Sequence, residues 1–234
     1  AYLIARRVPE ACVVVDANRL RAARIARDDL GADVVVLDDG FQSREIQKVA
    51  DIVTVTEAML RGEDHLIPFG SLRESPSALS HADAIIVISN QGNDTKCTTK
   101  TAKPIFTARY CSPEIVDGTT GTTVERLKFD DPVLLVSGIA RPRGFEALCM
   151  AMGLQAEVSI RFDDHHWYSV EDVNMIRSTM QENRCGSVIT TEKDFYKLAR
   201  ISTENLYFVR VELKVEPETD FIAWIERQFR SRQW

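Results

Sequence analysis

The fold is decided by the segment ADVVVLDDGFQSRE, which runs from Ala32 to Glu45. Four consecutive apolar residues lead directly into two adjacent carboxylates, Asp38 and Asp39. A continuous β-branched run of this kind is typical of a strand that is covered on both faces of a parallel sheet. Neighbouring carboxylates repel each other, and burial strengthens that repulsion. The segment therefore predicts a buried strand that ends either in a solvated turn or at a divalent cation.

The rest of the chain continues this alternation of short apolar runs with helix-length segments, which is typical of an α/β protein. The pattern predicts strands over residues 11–16, 33–37, 51–56, 83–88, 103–108, 132–138, 156–162, 187–190 and 205–211. It predicts helices over residues 17–31, 142–153, 169–183, 192–199 and 218–232.

A Gly-, Thr- and Pro-rich stretch interrupts the alternation between Tyr110 and Leu127. Such a composition is typical of a hairpin or a linker. We therefore predict a mainly parallel α/β domain over residues 1–109, a hairpin linker over 110–128, and a second, smaller α/β domain over 129–234.

The composition of the chain argues against several kinds of partner and site. The formal net charge is −6, which argues against nucleic acid as a partner. The 5 cysteines are widely spaced and form no C-x-x-C, which argues against a disulfide framework or a zinc site. The longest apolar runs are far shorter than the roughly 20 residues that a membrane span needs. The first residues, AYLIARRV, contain no Met and resemble the middle of a helix, so we expect further residues before them.

Metal-binding candidates follow the second predicted strand. In open α/β sheets, ligands lie at the carboxyl ends of the strands, where a Walker B aspartate holds Mg²⁺. Asp38 and Asp39 would occupy that place, and Gln42 offers one more oxygen. The alternative is a strand that ends in a solvated turn.

A second candidate is the loop LIPFGSLRES, residues 66–75. Arg73 offers a planar guanidinium that suits a phosphate, and Glu74 offers an oxygen to a metal ion. The alternative is a surface loop with an Arg–Glu ion pair.

A third candidate is the segment RFDDHHWYS, residues 161–169, which follows a predicted strand. Two histidines, His165 and His166, stand here beside Asp163 and Asp164, and a histidine oriented by a carboxylate is a common general base. Adjacent histidines lack the spacing for two metal ligands on one helix face. The alternative is a solvated loop before a helix.

Other basic residues have weaker signals. Arg141 in SGIARPRGF and Lys193 in TTEKDFYKL stand where phosphate contacts or ordinary helix caps would lie. Arg21, Arg24 and Arg27 form a helical stripe that would suit either an anionic lipid surface or plain solvent.

Five segments, in this order along nearly the whole chain, resemble the tetraacyldisaccharide 4'-kinase family of lipid A biosynthesis. They are DDGFQSRE, PFGSLRES, GIARPRGF, FDDHHWYS and TEKDFYKL. The family pattern differs at three serines: Ser43 stands where His is usual, and Ser71 and Ser75 stand where Pro is usual.

The resemblance implies a P-loop-NTPase-like fold, a sheet incomplete at the N-terminus, and a kinase that uses ATP and Mg²⁺. The implied substrate is a tetraacylated glucosamine disaccharide 1-phosphate, a lipid A precursor phosphorylated on its 4'-hydroxyl at the cytoplasmic face of the bacterial inner membrane. The implied roles are Mg²⁺ binding by Asp38, Asp39, Gln42 and Glu74, phosphate binding by Arg73 and Arg141, and proton abstraction by His165 with Asp164.

The chain contains neither a Gly-Lys dipeptide nor the Gly-Asp-Glu motif that the family carries. The Asp of that motif is paired in the family with the His that matches His165. We therefore expect the 234 residues alone to be inactive, although the full-length protein is active. Two alternatives are a nucleotide-binding regulatory module and a non-catalytic remnant of such a kinase.

Overall fold

A computed structural model of the protein describes residues 1–70, 72–89, 102–124, 132–156 and 158–231. The chain forms two compact units. The first unit contains Leu3–Cys111 and Leu213–Trp234, and the second contains Ser112–Glu212. The C-terminal segment thus groups with the first unit, whereas the sequence pattern assigned all of 129–234 to one domain.

The described helices and strands are short and alternate along most of the chain. The helices are α1 Tyr2–Arg7, α2 Arg19–Asp28, α3 Glu57–Leu60, α4 Pro142–Ala151, α5 Val170–Glu182, α6 Glu192–Leu198 and α7 Glu218–Ser231, with a 3-10 helix at Pro76–His81. The strands are β1 Ile52–Thr56, β2 Ala84–Ser89, β3 Ile105–Asp117, β4 Thr123–Val124, β5 Val133–Ser137, β6 Val158–Arg161, β7 Ser187–Thr191 and β8 Leu206–Glu216.

In the first unit, β1, β2 and β3 are parallel neighbours. Alternate residues of β2 face opposite sides: Ile86 packs in a cluster with Phe106 and Trp224, and Ile85 packs in a cluster with Phe41. The ring centroids of Phe106 and Trp224 are 6.1 Å apart. This packing places α7 in the first unit, because its aromatic side chains cover one face of the short sheet.

In the second unit, β6, β5, β7 and β8 form a parallel set in that order. Every residue of β5 is buried. Leu134 belongs to a core cluster that includes residues of α5 and α6, and Leu135 belongs to one that includes residues of α4. Helices therefore cover both faces of these strands, as their continuous apolar runs predict.

Three loops of the second unit begin where neighbouring parallel strands end. Gly138 follows β5, Phe162 follows β6, and α6 begins directly after β7. The carboxyl ends of adjacent parallel strands lie at one edge of a sheet. This arrangement brings the GIARP, FDDHH and TEKD segments to the same edge.

Two strand predictions are wrong. Residues 11–16 and 33–37 form no strand, and Val15 and Val36 are 77% and 89% exposed. A strand requires a hydrogen-bonded neighbour, and no described strand pairs with either segment. An apolar run alone cannot supply that partner.

The predicted linker contains an antiparallel pair. Ile115 of β3 pairs with Val124 of β4. The strand β3 extends to Asp117, past the point where the composition changes, because Ile115 and Val116 are buried. Residues 125–128 of the predicted linker lie outside the described residues.

Candidate active site

Asp38 and Asp39 lie in a tight turn of the first unit. Asp39 has a left-handed backbone with φ of 51°, which Asp tolerates better than most residues. A Cβ on Gly40 would lie 2.5 Å from the Cβ of Leu37, so the turn needs glycine there. Local backbone constraints therefore present the two carboxylates at the surface, where both are exposed.

Arg73 and Glu74 follow a loop that closes on itself. The N–H of Ile67 donates to the carbonyl of Leu72 at 3.0 Å, and Leu72 is buried. A Cβ on Gly70 would lie 2.2 Å from the carbonyl oxygen of His65, so only glycine fits. Ser71, one of the departures from the family pattern, lies outside the described residues.

Two side-chain contacts join this loop to the acidic turn. Arg73 Nη1 donates to Asp39 Oδ2 at 2.6 Å, and Gln42 Nε2 donates to Glu74 Oε1 at 2.9 Å. This hydrogen bond to Asp39 raises the pKa of the Arg73 guanidinium. Each contact joins two residues that are more than 30 positions apart in the sequence. The fold thus brings together four of the predicted metal or phosphate ligands: Asp39, Gln42, Arg73 and Glu74.

The chemistry of this donor set fits Mg²⁺. Within the described part of the chain, no cluster of three or more His, Cys, Asp or Glu residues is arranged to hold a metal ion. Mg²⁺ is commonly bound through one or two carboxylates plus water and substrate phosphates, so a smaller set suffices. Asp38, Asp39, Gln42 and Glu74 supply oxygens of the required kind.

A cavity of about 350 Å³ opens beside Asp39. Three arginines line it: Arg19, Arg44 and Arg73. Arg19 Nη2 also donates to the backbone carbonyl of Asp39 at 3.2 Å. The concentration of guanidinium groups suits a phosphate-bearing ligand.

Sequence analysis missed two basic residues here. Arg19 opens α2 and carries no local motif. Lys48 donates to the backbone carbonyl of Gly40 at 2.9 Å and pairs with Asp51 at 2.6 Å. The contacts of Lys48 with the turn span seven and eight residues of a segment that forms neither helix nor strand, so no periodic pattern signals them.

The predicted basic stripe is partly neutralised. Arg21 pairs with Asp16 at 2.6 Å, and Arg27 pairs with Asp28 at 2.6 Å. The Asp16 hydrogen bond raises the pKa of Arg21. These contacts favour the solvated-face alternative over a lipid-binding stripe.

His165 lies in the loop after β6, in the second unit. Its side chain is 75% exposed, and its backbone is left-handed with φ of 64°. The N–H of His165 donates to the carbonyl of Gly138 at 3.2 Å. A non-glycine residue in this conformation needs support from its surroundings, and such residues cluster at functional sites.

Two charged groups lie near the His165 ring. Its Nε2 is 3.8 Å from Asp164 Oδ2, too long for a hydrogen bond, and 3.4 Å from Lys193 Nζ. Lys193 is also 3.6 Å from Asp164. An ammonium only donates, so a bond from Lys193 requires an unprotonated Nε2, the form in which a general base acts.

His166 has a different environment. Its Nε2 lies 2.9 Å from Asp172 Oδ2, and its ring stacks on Phe162 with centroids 4.5 Å apart. The His166 hydrogen bond is the main cause that lowers the pKa of Asp172. His166 therefore fastens the loop, whereas His165 is open to a substrate.

Arg141 is exposed and precedes α4, where its carbonyl accepts from the N–H of Gly144 at 3.2 Å. Pro142 occupies the first turn of that helix. The position at the carboxyl end of β5 suits either of the predicted roles, phosphate contact or cap.

Among the described residues, no helix combines the length and the apolar character that crossing a bilayer requires.

Similar proteins are kinases of lipid A synthesis. A tetraacyldisaccharide 4'-kinase from Anaeromyxobacter dehalogenans strain 2CP-C is 32% identical over 227 residues, which cover 91% of this chain and 60% of that protein. A tetraacyldisaccharide 4'-kinase from Syntrophus aciditrophicus is 31% identical and is matched over 94% of this chain and 63% of its own length. The chain thus spans about 60% of the length of these curated relatives.

A solved structure of LpxK from Aquifex aeolicus, described as an "apo" form in complex with ATP, superposes with a TM-score of 0.73. It is 25% identical, with 97% of this chain and 68% of that chain covered. This likeness confirms the predicted P-loop-like α/β fold. The family model LpxK, described as tetraacyldisaccharide-1-P 4'-kinase, matches residues 1–230, and the chain therefore belongs to that family.

Proposed function

We propose that the protein phosphorylates the 4'-hydroxyl of a tetraacylated glucosamine disaccharide 1-phosphate, with ATP and Mg²⁺. The observation that carries the proposal is the pair of contacts Asp39–Arg73 and Gln42–Glu74. They bring oxygen ligands for a metal ion and a guanidinium for phosphate to one place in the first unit.

The first unit would serve as the remainder of the P-loop kinase core with Walker B. Asp38, Asp39, Gln42 and Glu74 would hold Mg²⁺, which when bound neutralises charge on the phosphates. Arg73 would bind phosphate oxygens in exchange for its present contact with Asp39. Because Arg73 is 62% exposed, this exchange needs little rearrangement.

The second unit would supply the base. His165 Nε2 would take the proton of the sugar hydroxyl, with Asp164 and Lys193 setting the charge around the ring. Arg141 would contact a phosphate at the carboxyl end of β5. General-base assistance of this kind contributes about 100- to 10,000-fold to a rate.

A lipid substrate and a peripheral position at the inner membrane are supported by exposed apolar side chains in each unit. Ile67 and Phe69, in the same 66–75 segment as Arg73, are 62% and 89% exposed. In the second unit, Trp167 and Val170 are 69% and 58% exposed, close in sequence to His165. Large exposed apolar side chains beside charged groups are typical of surfaces that meet lipid.

We further propose that these 234 residues alone do not catalyse phosphorylation of the lipid. The chain has no G-x-x-x-x-G-K-[ST] loop, the usual cradle for nucleotide phosphates. Purified chain should release no phosphorylated lipid from tetraacyldisaccharide 1-phosphate, ATP and Mg²⁺. Measurable turnover by the purified chain would refute this statement.

The experiment that tests the function is His165→Ala in the intact protein, with His81→Ala as the matched control. His81 is an exposed histidine at the end of the 3-10 helix of the first unit. Transfer of labelled phosphate from ATP to the lipid should fall about 100-fold or more in His165→Ala, as expected for a lost general base. The control should keep its rate.

Two outcomes would contradict the proposal. Full activity in His165→Ala would favour a metal- and nucleotide-binding module that does not use this base. An intact wild-type protein without transfer activity would favour a non-catalytic remnant.

A further inference from the structure

Asp194 is a buried carboxylate that the proposed mechanism does not use. It lies in the first turn of α6 and is 0% exposed. Its Oδ2 accepts from the N–H of Gly138 at 2.8 Å and from Thr191 Oγ1 at 2.8 Å. Its Oδ1 accepts from Lys197 Nζ at 3.2 Å. The buried charge is therefore satisfied by three donors, which is what makes such burial tolerable.

One of these contacts reaches outside the helix. The bond to Gly138 links residues 56 positions apart and fixes the turn after β5. The same Gly138 uses its carbonyl to accept the N–H of His165. A short chain of hydrogen bonds thus runs from Asp194 through the Gly138 residue to the backbone of His165.

A comparison with α5 shows that helix capping does not require this arrangement. Asp172 occupies the same position in α5 and binds the N–H of its own cap residue, Ser169, at 2.8 Å. The N–H of each aspartate donates to the hydroxyl of its cap residue, that of Asp194 to Thr191 Oγ1 at 3.1 Å. Beyond its cap, Asp172 contacts a side chain, His166, whereas Asp194 accepts from the backbone N–H of Gly138.

We propose that Asp194 is a positioning residue for the reaction: through Gly138 it holds the left-handed backbone of His165 and so aims the imidazole at the substrate. This inference rests on the proposed function of His165. Lys197 donates to the other oxygen of the Asp194 carboxylate and supplies the nearest opposite charge. Misplacing a catalytic group by about 1 Å can cost about 100-fold in rate, so a small relaxation of this loop matters.

The test combines two measurements on Asp194→Ala and Asp194→Asn. The first is amide hydrogen exchange in the full chain, read at Gly138 and His165 and, for comparison, at Leu134–Val136. The second is kcat and KM for the lipid in the intact protein. Asp194→Asn keeps one carbonyl oxygen for the Gly138 N–H and serves as the conservative rescue variant.

The matched control is Glu146→Gln. Glu146 is another buried carboxylate of the second unit, and its charge pairs with Arg161 at 2.6 Å. It makes no hydrogen bond to Gly138 or His165 among the described contacts. It therefore reports what the loss of a buried charge does while the bond from Gly138 to Asp194 is kept.

We expect Asp194→Ala to speed exchange at Gly138 and His165 about tenfold or more while exchange at Leu134–Val136 stays unchanged, since local opening is independent of global unfolding. The kcat should fall about tenfold or more with KM nearly constant, as expected when a group that acts only in the transition state is displaced. Asp194→Asn should recover part of both effects, and Glu146→Gln should leave kcat unchanged.

Uniformly faster exchange, or unchanged exchange at Gly138, would overturn the inference. The inference would also be overturned if kcat were unchanged in Asp194→Ala but collapsed in His165→Ala. That result would leave the proposed function of His165 intact. If Asp194→Ala does not fold, Asp194→Asn decides by the same criteria. Activity that survives His165→Ala would instead refute the proposed function, and with it the catalytic meaning of this contact.

Discussion

Gly138→Ala is the substitution whose effect can be worked out most directly from the structure. A Cβ built on Gly138 lies 3.1 Å from Tyr168 Oη and 3.3 Å from both the carbonyl oxygen of Asp163 and Asp194 Oδ1. Each distance is shorter than ordinary van der Waals contact. The φ of Gly138 lies outside the left-handed region, so alanine adds crowding without backbone strain.

Overpacking of this kind typically costs about 1–3 kcal/mol. One of the three close contacts is the Tyr168 hydroxyl, so removing that oxygen should relieve roughly a third of the cost, about 0.3–1 kcal/mol. Tyr168 is buried, and its Oη has no hydrogen-bond partner of good geometry within the described residues. Burial, the nearby Asp194 charge and a hydrogen-bonding interaction with Asp194 raise its pKa. Tyr168→Phe alone should be nearly neutral, because it removes only a poorly aligned interaction with Asp194.

The assay is a double-mutant cycle of Gly138→Ala and Tyr168→Phe, with the free energy of unfolding measured in urea for all four proteins. The m value should stay constant, so that shifts in the midpoint report stability. The reasoning is refuted if Gly138→Ala costs the same in both backgrounds, within about 0.3 kcal/mol. It is also refuted if Tyr168→Phe itself destabilises by more than about 1 kcal/mol, which would reveal a hydrogen bond to the hydroxyl.

Three further outcomes are expected. Glu146→Gln should lower the free energy of unfolding, measured in urea at pH 7, because it removes the ion pair with Arg161 that lowers the pKa of Glu146. The loss should be only about 1 kcal/mol, because the Arg161 side chain is half exposed to solvent. Asp172→Asn should reduce the loss of unfolding free energy that the wild type shows at acid pH. The His166 bond lowers the pKa of Asp172 below its ordinary 3.8, so the ionised carboxylate stabilises the fold above pH 3.8, and this stabilisation is lost as the pH falls through the lowered pKa. Urea midpoints measured between pH 2 and 7 for both proteins will show the difference. Cys149, whose pKa burial raises to about 12, should escape iodoacetamide in the native protein at pH 8 and react after unfolding, as read by mass spectrometry; native labelling would contradict its packing.

Most of the fold could be predicted because its strands are continuously apolar and its helices carry caps. The five apolar residues of the predicted strand over 83–88 correspond to β2, and Ser169 caps α5 together with Asp172, three residues later. The failures at 11–16 and 33–37 have one physical cause. Periodicity describes how a strand is covered, but pairing depends on another segment, which the local pattern does not contain.

The sequence indicates which residues could form the site, but not which of their side chains contact each other. The contact of Arg73 with Asp39 follows from no spacing rule, since the two residues are 34 positions apart. Nor does sequence distinguish His165 from His166, whose exposures differ because only His166 meets Asp172 and the Phe162 ring. The role of Asp194 was hidden for a similar reason: its spacing from Thr191 resembles an ordinary cap, and its bond to Gly138 exists only after folding.

The grouping of α7 with the first unit has a consequence for biosynthesis. The core of the second unit contains no residue of α7, so that unit can pack without this helix. In the first unit, by contrast, the apolar face around Phe106 and Ala108 is covered by Trp224 of α7. The strands of the first unit are therefore synthesised well before the helix that covers them, and their apolar face stays open to unwanted contacts until α7 has been made.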